Sequence, residues 1–233
     1  MTEDQVETTP EPAPAGAAAA TDGSVDAVAS GTKRGINRTV VEWIVLVVAA
    51  ILIALVIKQF LFQAFYIPSR SMVPTLEVGD RVLVNKLSYD LHDVHRGDII
   101  VFESGPNHAW KDAGVDDLVK RVIALPGETV TQCEENRLCI DGRLLKEGYL
   151  PKGVTTDLYH GPTDANGNPT AAITGCAANS PLGGCTVPAG QYFVLGDNRS
   201  ESSDARDHGP IRGSSIVGRV FVRIWPLNRL GFL

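Results

Sequence analysis

Hydrophobic and polar positions divide the chain into three textures. From Met1 to Gly31 it is Ala, Pro, Thr, Gly and acidic residues with scarcely a large apolar side chain. That is too little apolar surface to offset the entropy of ordering, so residues 1–38 read as a disordered tail. From Val40 to Phe62 the pattern is almost unbroken apolar, VVEWIVLVVAAILIALVIKQFLF, interrupted by Glu42, Lys58 and Gln59. Roughly 20 such residues cross the hydrocarbon core of a bilayer, and here they occupy every face of a helix rather than one stripe. Glu42 and Lys58 lie near the two ends, where long side chains reach the headgroups, and Trp43 suits the interface. The reading is a single transmembrane helix over 39–62. A cleaved secretory peptide competes with it, but this run is longer than an h-region and starts some forty residues in.

Beyond the helix come short runs of branched and aromatic residues, RVLVNKLS, DIIVF, VKRVIAL, QYFVLG and GRVFVRIW, punctuated by Gly, Pro, Asp and Asn. These are strand signals, and no long helical period appears from Ile67 onward. An all-β or mainly β domain is therefore expected after the anchor. Residues 132–189 are richer in Gly, Pro, Asn and Thr and read as a β/loop-rich insertion. They would divide the β domain into 63–131 and 190–233.

Charge settles what the chain does not bind and which way it faces. A net charge of −6 without a basic stripe argues against nucleic acid as a partner. Lys33, Arg34 and Arg38 precede the helix, so the positive-inside rule keeps the N-terminus cytoplasmic and sends the β domain outside. Four cysteines fall into two local pairs, Cys133 with Cys139 and Cys176 with Cys185, without the Cys-x-x-Cys spacing of structural zinc. Disulfides fit an exoplasmic domain, although four cysteines allow three connectivities and free thiols are the alternative.

Four segments carry candidate chemistry, each with an ordinary structural reading beside it. IPSRSMVPTLEVGD, directly after the helix, holds Ser71 between Pro68 and Pro74; prolines that restrict the backbone suit a fixed nucleophile as well as a plain turn. Arg96, Gly97 and Asp98 make a turn into the strand Ile99 to Phe102, and structure explains them fully. LVKRVIALPGETV places Lys120 and Arg121 inside an apolar strand, where successive side chains face opposite ways, so one of them points toward a packed or clefted side. A desolvated lysine loses its proton more easily and can then take one from a serine hydroxyl; a snorkelling edge lysine is the plainer account. LGDNRSESSDARDHGPI, after another apolar strand, is a solvated loop or a set of carboxylates and guanidinium groups that lock one another, with Ser202 and Ser203 free to orient an amine.

In this order and behind this anchor, the segments resemble the type I signal peptidase family, through Ser-Met-x-Pro-Thr, Lys-Arg followed by Leu-Pro-Gly, and Gly-Asp-Asn-Arg-Ser-x-x-Ser-Asp-x-Arg. The resemblance covers nearly everything from Phe65 to the C-terminus except the insertion. It implies Ser71 as nucleophile, Lys120 as general base, and Ser69 together with the Ser71 N–H as oxyanion hole. It implies Ser202 as the hydroxyl that positions the lysine, with Asp204–Arg206 and Asp197–Arg121 as structural ion pairs. Phe65, Ile67, Met72, Leu118 and Val119 would line shallow pockets for the small residues of an Ala-x-Ala site. The implied fold is two antiparallel β regions, the implied partners are signal peptides of exported preproteins and the lipid bilayer, and no metal or other cofactor is implied. The spacing of Cys133 and Cys139 resembles a disulfide of some members. One membrane helix stands where some relatives have two, and the long tail has no counterpart.

Rival readings are a hydrolase using His92, His108 or His208 as base, a Ser-Lys autoprotease of the SOS-repressor kind, and an inactive adaptor module on the same fold. Neither His92 nor His208 sits in a recognisable histidine-base motif, the repressor class pairs its protease fold with a helix-turn-helix and no membrane span, and an adaptor would be expected to lose Ser71 or Lys120 first.

Overall fold

The computed structural model describes residues 37–104, 110 and 116–233, with the backbone alone for 56–60. The tail, Lys33, Arg34 and His108 lie outside the described residues. Two compact units divide inside the first helix, one ending at Val45 and the other beginning at Leu46.

That helix, α1 (Arg38–Phe60), has 23 residues, roughly 35 Å at 1.5 Å per residue. It is long and apolar enough to cross a membrane, and its described side chains are exposed from Arg38 to Leu55. Glu42, the acidic residue in its first turns, pairs with Arg38 at 3.2 Å. The helix ends at Phe60, and Phe62, expected at its end, opens the first strand instead. An apolar residue serves either element; here the ladder to Asn85 decides, because Phe62–Tyr66 pair residue by residue with Asn85–Arg81.

The remainder is mainly β, as the strand pattern predicts, and antiparallel, as the resemblance implies. One sheet follows the order β1 (Phe62–Tyr66), β2 (Arg81–Asn85), β11 (Ile216–Trp225), β3 (Ile99–Glu103), β4 (Asp117–Ala124), β9 (Gln191–Leu195), β10 (Ile211–Arg212), with β12 (Gly231–Phe232) also on β11. The second follows β7 (Arg143–Leu144), β6 (Leu138–Ile140), β5 (Thr129–Gln132), β8 (Cys185–Thr186). Thr129 to Thr131 thus belong to the second sheet with Gln132, although the sequence groups those three with the first. From Leu145 to Gly184 the chain is loop, apart from one bridge between Thr163 and Pro169. Disulfides join Cys133 to Cys139 and Cys176 to Cys185.

The apolar strands are continuous rather than alternating because the large sheet is covered on both faces. Ile99 and Val101 of β3 pack with Ile67, Met72, Leu76 and Val82, while Ile100 and Phe102 pack with Val122, Phe193 and Leu195. Each such side chain contributes about 1.5–3 kcal/mol, so β3, β4 and β9 make a stiff platform for the loops at their ends.

Candidate active site

Three segments converge on one end of this platform. The loop 67–80 between β1 and β2 carries Ser71; β4 carries Lys120 and Arg121; and the loop after β9 carries residues 196–204. Register brings the last two together, since Arg121 lies opposite Leu195. On its other side β4 pairs with β3, placing Lys120 opposite Ile100 and Arg121 opposite Ile99.

Lys120 and Arg121 leave the strand on opposite sides, and both are buried, where the sequence argues for only one. The Lys120 Nζ is hydrogen-bonded to the Ser71 Oγ at 2.9 Å. Arg121 donates twice to Asp197, at 2.8 and 2.7 Å, and once to the Gly97 carbonyl. Asp204 accepts from Arg206 Nε and Nη2 at 2.8 and 3.0 Å and from the Gly196 N–H, and it also caps the short helix α3 (Ala205–His208). A third buried arginine, Arg199, is paired with Glu147. Among the described residues no carboxylate lies within ion-pair distance of Lys120. Burial therefore dominates and pushes its pKa from 10.5 down to about 8, with Asp204 raising it and Arg206 lowering it by lesser amounts.

The Ser69 Oγ stands 3.3 Å from the Ser71 Oγ. Ser202 is close by in another sense: a Cβ at Gly196 would collide with both the Ser202 Oγ and the Ser71 carbonyl oxygen. The Ser202 Oγ is buried and has no hydrogen-bond partner, so its link to the Lys120 amine is not formed in this structure. Ser203 is engaged elsewhere, 2.7 Å from His208 Nε2. Neither His92 nor His208 hydrogen-bonds Ser71.

A cavity of about 740 Å³ opens over the serine and lysine, lined by Phe65, Ile67, Met72, Leu118 and Val119 together with Ser69, Ser71 and Lys120. Its acidic rim, Asp116, Asp117 and Glu201, escapes sequence reasoning. So do Thr75, whose hydroxyl donates to Asp197, and Tyr149, whose ring lies 4.0 Å from the Arg121 guanidinium carbon. Glu147, which accepts from Tyr149 and Arg199, completes that group. Thr75 lies within the Ser-Met-x-Pro-Thr element; Glu147 and Tyr149 sit in a loop with no local signature.

Chemically, a buried amine of lowered pKa against a serine hydroxyl, in a cleft with apolar lining, is an arrangement for acyl transfer. Among proteins similar to this one, signal peptidase I of Leptolyngbya laminosa is 41% identical over 187 residues, 79% of each chain. Signal peptidase I of Bacillus caldolyticus is 37% identical over 78% of this chain and 90% of its own. Signal peptidase IB of Staphylococcus aureus is 31% identical over 82% and 93%. The family model described as signal peptidase, peptidase S26, matches residues 40–225, and the chain belongs to that family of serine peptidases.

Proposed function

We propose that this protein is a membrane-anchored endopeptidase that removes signal peptides from exported preproteins, with Ser71 as nucleophile and Lys120 as general base. One observation carries the assignment of roles: the 2.9 Å contact between the Lys120 amine and the Ser71 hydroxyl, at an amine buried without a counterion. At physiological pH a useful fraction of that amine is neutral. It takes the hydroxyl proton as the Ser71 Oγ attacks the scissile carbonyl, and the resulting ammonium returns the proton to the departing amine. Water, deprotonated by the same amine, then releases the acyl group. The oxyanion is held by the Ser71 N–H and the Ser69 hydroxyl; losing one such donor costs about 3–4 kcal/mol. In the substrate complex the unpaired Ser202 hydroxyl orients the lysine amine, while the Asp204–Arg206 and Asp197–Arg121 pairs hold the loop after β9.

The cavity wall of Phe65, Ile67, Met72, Leu118 and Val119 is apolar, and the substrate we propose for it is an Ala-x-Ala site, whose small apolar side chains such a wall accepts. Helix α1 crosses the bilayer with the tail in the cytoplasm, so the catalytic domain, 63–128 with 190–233, works outside, carrying 129–189 as an insertion. Tethering there raises the effective concentration of the site toward junctions emerging from the membrane. Cleavage of an Ala-x-Ala precursor in detergent tests the assignment: Ser71→Ala and Lys120→Ala both bind the precursor and leave it intact. Activity surviving in Lys120→Ala would transfer the role of base to another group.

A further inference from the structure

We infer that Asn198 is a positioning residue for the oxyanion hole, a role that rests on Ser71 being the nucleophile. Its side-chain Nδ2 donates to the Arg70 carbonyl at 3.1 Å and to Glu201 Oε2 at 3.1 Å, and its backbone N–H donates to the Ser71 carbonyl at 3.0 Å. Because both side-chain partners are acceptors, the amide can stand only with its NH2 group toward them. The Ser200 hydroxyl donates to its Oδ1 at 3.3 Å.

These two bonds to the nucleophile loop grip different peptide planes. The Arg70 carbonyl and the Ser71 N–H belong to one planar trans unit and point in opposite directions, so holding that carbonyl aims the N–H that would receive the oxyanion. The Ser71 carbonyl belongs to the next plane. Rotation about φ and ψ of Ser71 is rotation of those two planes, and Asn198 is bonded to both. The Arg70 carbonyl also accepts from the Val73 N–H at 3.1 Å, and a carbonyl bonded twice polarises its amide and strengthens the N–H on the other side. A residue more than 120 positions away in sequence thus sets both the direction and the strength of the main-chain donor.

Asn198→Asp tests this with little change of shape. The backbone N–H stays, but the side chain offers oxygen where the Arg70 carbonyl needs a donor. Loss of a whole oxyanion donor lowers kcat about 10²–10³-fold; loss of its aim is expected to cost about 10- to 100-fold in kcat with KM for the precursor unchanged. Affinity for an alanine-ended peptide aldehyde, whose hemiacetal oxygen occupies the hole, falls by a similar factor. Asn198→Ala, which adds no charge, shows the same loss with the alkaline rise of its pH–rate profile unmoved, because the lysine is untouched. Full kcat in both variants, or equal losses in kcat, precursor affinity and thermal stability, overturns the inference. Ser71→Ala in parallel separates the two layers: if it is inactive while Asn198→Asp is fully active, only the positioning role fails, whereas an active Ser71→Ala removes the nucleophile reading beneath it.

Discussion

Replacing Lys120 by Met should abolish cleavage and yet make the folded domain harder to unfold near neutral pH. The unfolded lysine has its ordinary pKa of 10.5, and burial brings the folded one to about 8. The folded state thus resists the ammonium by about 3 kcal/mol at any pH below 8. Methionine has a similar unbranched shape and no charge to desolvate, and losing the hydrogen bond to Ser71 returns about 1 kcal/mol of that. A net gain of about 2 kcal/mol is expected at pH 7. Between pH 8 and 10.5 the unfolded lysine holds a proton that the folded one has shed, so wild-type stability rises with pH across that window. The advantage of Lys120→Met should shrink there and reverse by its upper end. Urea unfolding of both proteins in detergent, repeated from pH 7 to 11, gives the difference directly, and effects of other titrating groups cancel. A difference that stays flat across the window, or a variant less stable at pH 7, would refute the claim that this amine is starved of water in the fold.

Three other outcomes follow from the same geometry. If Lys120 is the base proposed above, the kcat/KM for precursor should climb with pH and level off through an apparent pKa of about 8, since a base works in its neutral form; a plateau already reached at pH 6 contradicts it. Gly196→Ala should lower kcat at least about 100-fold while the protein still folds, because its methyl group would strike the Ser71 carbonyl oxygen and the Ser202 hydroxyl; steady-state kinetics beside a thermal melt separate the two effects. Arg206→Met should destabilise the domain by about 3–5 kcal/mol, because it strands Asp204 at 0% exposure without its bidentate partner; urea midpoints measure it.

How much of this was legible in the chain depends on whether a signal is local. The apolar run announced α1, and branched runs such as DIIVF and QYFVLG announced strands, because periodicity is a property of neighbouring residues. The end of α1 was not legible, since phenylalanine at 62 suits a membrane helix and a strand alike and only pairing with Asn85 distinguishes them. Thr-Val-Thr-Gln at 129–132 fits either sheet for the same reason. Lys120 stood out as a charge inside an apolar strand, but Arg121 did so equally, and it is Asp197, 76 positions away, that makes one of them a structural cation. Glu147 and Tyr149 carried no mark, because their meaning lies in Arg199 and Arg121, reached only across the folded loops.

Those pairings also show why lysine, among the four buried cations of the described residues, is the one suited to remove a proton. Arg121, Arg199 and Arg206 are each buried, and each has a carboxylate in Asp197, Glu147 or Asp204. An arginine cannot shed its charge in a protein, so a buried one has to bring a counterion. Lys120 is as deeply buried and has none among the described residues, and an amine has the option the guanidinium lacks: it gives up its proton. The three ion pairs make that choice sharper, because Asp197, Glu147 and Asp204 are each already held by an arginine and are not free to turn toward the amine and stabilise its charged form. Asp204 shows the balance directly, since its charge raises the lysine pKa while that of its partner Arg206 lowers it. Neutralising the surroundings in pairs leaves desolvation as the deciding influence on Lys120, and desolvation is what a lysine base requires.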